Sequence, residues 1–454
     1  MYLADGRPAP ATSVPPGGRR TGRSRRVRAA VPSTVLVLGT VSLITDISSE
    51  MVTAVLPLYL VAELGLSPLG FGVLDGVYNG VSALVRLVGG RLSDRGGGAG
   101  HKAVAAVGYG LSALCKPLLL LVHSLPLIGA VLTVDRTGKG LRTAPRDAMI
   151  SLAAEPAARG RAFGVHRAMD TAGALCGPLV AFVLLRVAAE GYDAVFTVSF
   201  CVAVLGVVAL LLFVPGRALP AAEGTAGPAS AGPTSAGPTS AGPRTPAAPR
   251  TPVRALLGRP EIRRLTACAV LLGLTTISDS FLYLTLQRRL DLPAGWFPLL
   301  PLGTAAAFLS LAVPMGAIAD RIGRRRLFLA GHLVLLCAYG LLLAPLDGGT
   351  ALVCAVLILH GAFYAATDGV LAAATADTVP EDARGSGLAV VQTGQTAARF
   401  VCSLAFGAAW TAWGDHTAVL AAAVGLALAA ALSARLLRPA GPAAGPNSPS
   451  EHTS

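Results

Sequence analysis

Charge is scarce in this chain. Of its 454 residues only 13% are Asp, Glu, Lys or Arg, and only 5% are aromatic. A water-soluble domain carries roughly 25% charged residues, so this sequence lacks the polar area to cover a folded surface in water. Lysine is nearly missing: Lys102, Lys116 and Lys139 are the only three, and arginine supplies the rest of the 37 basic residues. The seven cysteines (Cys115, Cys176, Cys201, Cys268, Cys337, Cys354, Cys402) contain no Cys-x-x-Cys pair, which excludes the usual zinc and redox spacings. All of them lie in apolar runs and are expected to be small buried packing residues. There is no Gly-x-Ser-x-Gly elbow and no metal spacing on one helix face, and Gly96–Lys102 lacks the Gly-Lys-Ser/Thr order of a phosphate loop. An enzyme has nothing here to work with, so no cofactor and no metal are expected.

What the chain does have is apolar length: 53% of it is hydrophobic. Runs long enough to cross a bilayer, about 20 residues each, fall roughly at 34–62, 69–91, 103–124, 126–146, 162–187 and 193–214, and again at 264–287, 293–318, 327–346, 350–376, 386–411 and 417–437. The pattern predicts an all-α polytopic membrane protein of twelve helices in two pseudo-symmetric six-helix bundles. Residues 33–214 form the first bundle and 261–438 the second. Between them, 215–260 contains the repeated Ala-Gly-Pro-Thr-Ser of Ala231–Pro243 and reads as a disordered linker, because it has too little apolar surface to order itself. Residues 1–32, with six arginines between Arg19 and Arg28, and 439–454 read as disordered tails.

The formal charge of +13 is not gathered on an amphipathic face, so nucleic acid is not the expected partner. The basic residues sit in alternate connections: the N-terminal tail, Arg91–Lys102, Arg142–Arg161, Arg217–Arg264, Arg321–Arg326 and Arg435–Arg438. The opposite connections carry acids such as Glu63, Glu190, Asp347 and Asp415, with Arg288 and Arg289 as the exception. The positive-inside bias therefore predicts cytoplasmic termini. The arginine, alanine and glycine bias points to a bacterial source, hence a multi-pass protein of the inner (plasma) membrane, expected as a monomer whose partners are the lipid bilayer and a small-molecule substrate.

The two halves repeat each other. Gly90-Arg91-Leu92-Ser93-Asp94-Arg95-Gly96-Gly97 stands after the second run, and Gly316-Ala317-Ile318-Ala319-Asp320-Arg321-Ile322-Gly323-Arg324-Arg325 after the eighth. Ala158-Arg159-Gly160 and Ala383-Arg384-Gly385 recur at nearly the same offset. The Gly316 segment resembles motif A of the major facilitator superfamily at every position. The first copy departs from it: Gly98 and Ala99 replace the basic pair, which is displaced to His101 and Lys102. Arg136-Thr137-Gly138-Lys139-Gly140 resembles motif B, with Lys139 where the family often has Gln. Gly173-Ala174-Leu175-Cys176-Gly177-Pro178 resembles motif C, associated with antiporters and drug exporters, without its trailing glycine pair. The resemblance spans about 34–437. It implies a secondary transporter working by alternating access, in which Gly90, Asp94, Arg95, Gly316, Asp320, Arg321, Gly323 and Arg324 form a cytoplasmic latch between the bundles.

Physical chemistry supports the same parts. Gly90 and Gly316 are expected to let helices approach closely. Asp94 and Asp320 are expected to face the positive N-terminal ends of helices near Gly385 and Arg161. Gly173, Gly177 and Pro178 are expected to serve helix packing. An ionisable side chain at bilayer depth costs about 2.5 kcal/mol or more, so each is a candidate for function. Asp46 and Glu50 share a face of the first helix and are expected to lie beside Arg136 or Lys139 of the fourth. One carboxylate among Asp46, Glu50 and Asp170 is the candidate proton carrier. Asp170 has Arg167 as a local ion-pair partner, and His166 is expected as packing near the cytoplasmic end. Asp75, Asn79 and Arg86 are expected to face the bundle interior. In the second half Asp279 is the counterpart of Asp46, among His360, Asp368, Gln392, Gln395 and Arg399; Tyr283, Phe363 and Tyr364 suit either stacking on a substrate or packing. The expected activity is proton-coupled export of a small organic compound, with proton-coupled uptake, or a non-transporting sensor of the same fold, as alternatives. The cavity offers no His/Cys cluster for metal export.

Overall fold

The structure is a computed structural model that describes residues 31–93, 97–155, 158–214, 258–346, 349–379 and 384–437. The tails, the linker from 215 to 257 and the turn holding Asp94 and Arg95 lie outside the described residues. Six helices make the first half: α1 (Ser33–Leu58), α2 (Pro68–Ser93), α3 (Gly97–Leu121), α4 (Leu125–Ala153), α5 (Arg159–Val187) and α6 (Gly191–Phe213). α1 continues into a π-helical turn at Tyr59–Glu63. The second half contains α7 (Pro260–Gly273), α8 (Asp279–Arg289), α9 (Leu299–Ile322), α10 (Arg324–Leu343), α11 (Gly349–Thr367), α12 (Val370–Thr378) and α13 (Arg384–Leu436). Among the described residues eight helical stretches are long and apolar enough to cross a membrane. α4 falls short of that standard because it carries Asp135, Arg136, Lys139, Arg142, Arg146 and Asp147.

Every apolar run is mainly helical, but four of the expected helices differ in form. The seventh run breaks between α7 and α8. The broken backbone is satisfied locally: the Tyr339 hydroxyl accepts from Ile277 N at 2.8 Å, and Ser278 caps α8, as unwound backbone away from water requires. The tenth run breaks between α11 and α12 at Gly369, whose φ of +75° is left-handed backbone that suits glycine. The eleventh and twelfth runs join in α13 across a kink at Gly414, φ +82°.

Small residues set the closest helix contacts. A Cβ on Gly173 would stand 2.5 Å from the Leu43 carbonyl oxygen, and one on Gly177 2.8 Å from that of Ile47, so α5 lies on the backbone of α1. Gly108 and Gly138 let α3 and α4 meet in the same way, each within 2.7 Å of the other's carbonyl oxygen. Large apolar side chains such as Leu121, Val187, Leu212 and Val313 project outward, as expected for a lipid-facing surface. The cysteine expectation needs correction: Cys115, Cys268 and Cys402 are buried, while Cys176, Cys201, Cys337 and Cys354 are exposed on that outer surface, where an apolar thiol costs little.

The exceptional arginines have structural employment. Arg289 reaches the carbonyls at the C-terminal end of α10 (Leu341 at 2.7 Å, with Leu342 and Ala344), and Arg288 lies 5.6 Å from the Trp410 ring centroid. A cation at a helix C-terminus is held by the dipole and by unpaired carbonyls. Lys102 does the same for α6, donating to Leu211 O and Val214 O at 2.9 and 2.6 Å.

Candidate functional site

α1 and α4 form a ladder of polar rungs. Positions 42, 46 and 50 fall one turn apart on α1. Positions 146, 142 and 139 do so on α4 in the opposite direction. Arg146 Nη1 donates to Ser42 Oγ at 3.4 Å, Arg142 Nη2 to Asp46 Oδ1 at 3.2 Å, and Lys139 Nζ to Glu50 Oε1 at 3.2 Å. The middle rung is the most enclosed, with side chains 4% and 13% exposed; the Lys139–Glu50 rung is more open, at 33% and 26%. Arg142 also stacks on Tyr109, 4.6 Å from the ring centroid.

α5 closes the ladder. Asp170 accepts from Arg146 at 3.4 Å and pairs with Arg167 at 3.5 Å, and its carboxyl is close enough to that of Asp46 for the two to interact electrostatically. His166, expected as interfacial packing, is buried and holds Ser42 Oγ at 3.0 Å. Two carboxyls and two guanidiniums thus share one enclosed volume. A proton added to either acid removes a charge that an arginine is balancing.

Of the two cations expected beside Asp46 or Glu50, Lys139 meets Glu50, whereas Arg136 makes no ion pair with either acid. It turns toward α2 and α3, pairs with Asp135 at 2.5 Å and lies over the Tyr78 ring at 3.9 Å. Asp135 also accepts from Ser112 Oγ at 2.6 Å, and buried Lys116 donates to the Ser112 carbonyl at 3.0 Å. Arg136 stands off the face of α4 shared by 139, 142 and 146 and lies over Tyr78 of α2, so Arg142 rather than Arg136 meets Asp46.

The second half has a different centre. Asp279, first residue of α8, accepts from the Tyr364 hydroxyl at 2.5 Å and lies 3.4 Å from His360 Nε2. His360 is buried, with Thr304 3.5 Å from its Nδ1. Phe363 and Tyr283 are buried packing, whereas Tyr364 lines a cavity of about 90 Å³ together with Thr367, Asp368, Gln392, Gln395 and Arg399. The break at 368–369 lines this cavity, while the one at 274–278 lies against α13, where the Cys402 thiol meets Thr276 O at 3.3 Å. Broken helices inside a membrane bundle are tolerated where they line a cavity, and they mark binding sites.

The halves meet at the end away from the arginine-rich turns. Ser403 Oγ donates to Asp75 Oδ2 at 2.5 Å, and the Asn79 side chain donates to the Asp75 carbonyl. A Cβ on Gly72 would stand 2.6 Å from Ser403 O, and one on Gly407 2.5 Å from Pro68 O. Phe71, Phe281, Phe406 and Trp410 pack around the seam, and Trp296 joins Phe182 and Arg186 of α5.

Among the described residues, the motif A copy at the other end makes no ion pair or hydrogen bond across the halves. Asp320 is exposed and makes no ion pair or hydrogen bond among the described residues. Gly316 has nothing within 4 Å of a built Cβ, so the close approach expected of it is not made here. Arg324 instead donates to both oxygens of Asp377 at 2.8 and 2.7 Å, and Arg325 lies 3.7 Å from Glu261, both within the second half. Gly90 ends α2 in helical backbone, and the side chain of Arg86 lies outside the described residues. Arg321 and Gly323 are exposed at the turn between α9 and α10.

A bundle of apolar helices that encloses ion pairs, with two interrupted helices beside a polar cavity, is the build of a membrane transporter. The chain belongs to the Major Facilitator Superfamily (MFS), whose sequence pattern matches residues 38–313 and 299–453. It is similar to an uncharacterized MFS-type transporter of Methanocaldococcus jannaschii, 27% identical over 387 residues that cover 83% of this chain and 88% of that one. An uncharacterized protein of Mycobacterium tuberculosis is 35% identical over 158 residues, 35% of this chain and 38% of that one. Among solved structures, the nucleoside transporter NupG superposes with a TM-score of 0.69 at 12% identity, covering 90% of this chain and 100% of that one. A bacterial homolog of the human lysosomal transporter Spinster, in an inward-facing and occupied conformation, gives 0.69 at 16%, covering 89% and 97%. At such identities the likeness is one of fold.

Proposed function

We propose that this MFS transporter couples export of a small organic compound to entry of protons across a bacterial plasma membrane, by alternating access. The carrying observation is the enclosed Asp46–Arg142 rung with the Asp170 carboxyl beside it. Asp46 and Asp170 each meet a guanidinium and also act on each other, so a proton added to either acid redistributes the pairing of the whole cluster. Protonation of Asp46 frees Arg142, weakens the hold of α1 on α4 and biases the halves toward the other face. The motif C-like Gly173 and Gly177, which bring α5 against the same face of α1, support export over uptake. With cytoplasmic termini, a seam closed at Asp75–Ser403 and an Asp320 without an ion pair or hydrogen bond among the described residues support reading this as the state open to the cytoplasm.

The test is a screen of everted membrane vesicles carrying the chain, energised to hold a pH gradient and challenged with a panel of toxic organic compounds. A compound that is exported in exchange for protons dissipates the gradient, and Asp46→Asn abolishes that response while the protein remains folded. Transport indifferent to the gradient, or unchanged in Asp46→Asn, overturns the coupling role of Asp46.

A further inference from the structure

The arginines of the two halves are treated differently. Arg136, Arg142 and Arg146 each meet a carboxylate within 3.4 Å. Arg399, in the middle of the first part of α13, meets none within 4 Å among the described residues. Its Nε is buried without a hydrogen-bond partner, and the side chain lines the cavity with Gln392, Gln395, Thr367 and Tyr364. Asp279 is close enough to interact electrostatically with Arg399, but its carboxylate is already held by Tyr364 and His360. Asp368, in the same lining, is exposed at the α11–α12 break and makes no ion pair with Arg399. An uncompensated cation in a helix bundle is costly, and a protein that needed Arg399 only for packing would meet it from within, as the other half does.

We propose that Arg399, with the amides of Gln392 and Gln395, binds an anionic head group, a carboxylate or phosphate, on the transported compound. This deepens the transport reading and rests on it. The guanidinium is a planar fork that matches either anion bidentately, and the side-chain amide N–H groups of Gln392 and Gln395 are placed to donate to the oxygens it leaves free. The ligand then supplies the counter-charge the fold omits, so the compound recognised is an organic anion rather than the amine or quaternary cation common among toxic drugs.

The experiment uses the full chain purified in detergent, with four probes that share one ring: benzoate, phenyl phosphate, benzylamine and benzyl alcohol. Benzoate and phenyl phosphate are expected to raise the unfolding midpoint and to bind measurably; benzylamine and benzyl alcohol are expected to do neither. Arg399→Gln should weaken benzoate binding at least about tenfold, the scale of one lost charge-assisted contact, and Arg399→Lys should retain part of the affinity because a point charge lacks the fork. No response to either anion in the unaltered chain, an equal response to benzylamine, or undiminished benzoate binding in Arg399→Gln overturns the proposal. Should Arg399→Gln fail to fold, the double variant Gln392→Ala/Gln395→Ala decides: weakened binding supports the site, and unchanged binding removes it. No gradient is present, so failure here leaves the proton-coupling reading standing, and failure of coupling leaves this site standing.

Discussion

The two halves descend from one pattern, yet they handle buried charge in opposite ways. In the first, three rungs tie α1 to α4, and the arginines at bilayer depth meet acids. In the second, Asp279 sits at the repeat-equivalent place of Asp46 but is held by a tyrosine and a histidine, and Arg399 is left facing a cavity. Balanced charge can be switched by a proton without any ligand. Unbalanced charge waits for one. On the proposed reading the two halves provide two frames, one for energy coupling and one for recognition, joined at the Asp75–Ser403 seam.

The largest effect should come from breaking the middle rung. Arg142→Ala leaves Asp46 buried beside Asp170 without its cation and should cost about 3–5 kcal/mol, read as a lowered unfolding midpoint. Adding Asp46→Asn should recover most of the loss. A double variant as unstable as the single one would show that the rung does not hold the half together.

Glycines sharpen the comparison by sign. Gly177→Ala pushes a methyl into the backbone of α1, 2.8 Å from Ile47 O, and should destabilise by about 1–3 kcal/mol. Gly316→Ala meets open space and removes a helix-weakening glycine, so stability should hold or rise by up to about 1 kcal/mol. Equal losses at both positions would mean that α9 is as tightly packed at its arginine-rich end as α5 is on α1.

At the seam, Ser403→Ala takes a donor from the buried Asp75 carboxylate and should cost about 1–2 kcal/mol. The seam should then open more often, measured as faster labelling of a cysteine introduced at Thr411. The smallest effect is expected at Arg289→Gln, which loosens the end of α10 by about 1 kcal/mol or less while transport persists.

The periodicity of apolar runs is enough to place all the helices, because burial against lipid leaves no other element available. It does not give their rotations. Asp46 and Glu50 could be read as sharing a face, and Lys139 as a partner, since spacing on one helix is a local property. That Arg142 meets Asp46 while Arg136 turns to Asp135 depends on how α4 is rotated against α1, which spacing on either helix leaves free. The breaks at 274–278 and 368–369 had local signals in Thr275-Thr276-Ile277-Ser278 and Asp368-Gly369. Both interruptions sit inside apolar runs, and the Asp368-Gly369 one lines the cavity that Arg399 lines. Arg399 itself was visible as a charge in an apolar run, but its lack of a partner is a fact of three dimensions. The motif A residues were legible, and Asp320 makes no ion pair or hydrogen bond among the described residues; on the proposed reading, a contact that serves one conformation is absent from the other.

The most direct measurement compares two fluxes in proteoliposomes carrying Asp46→Asn, using a compound identified by the vesicle screen. Substrate exchange at equal pH on both sides needs only binding and rocking of the halves, whereas accumulation against a gradient needs the proton. Exchange should persist near the unaltered rate and pH-driven accumulation should vanish. Accumulation that survives the substitution would contradict the assignment of energy coupling to the first half.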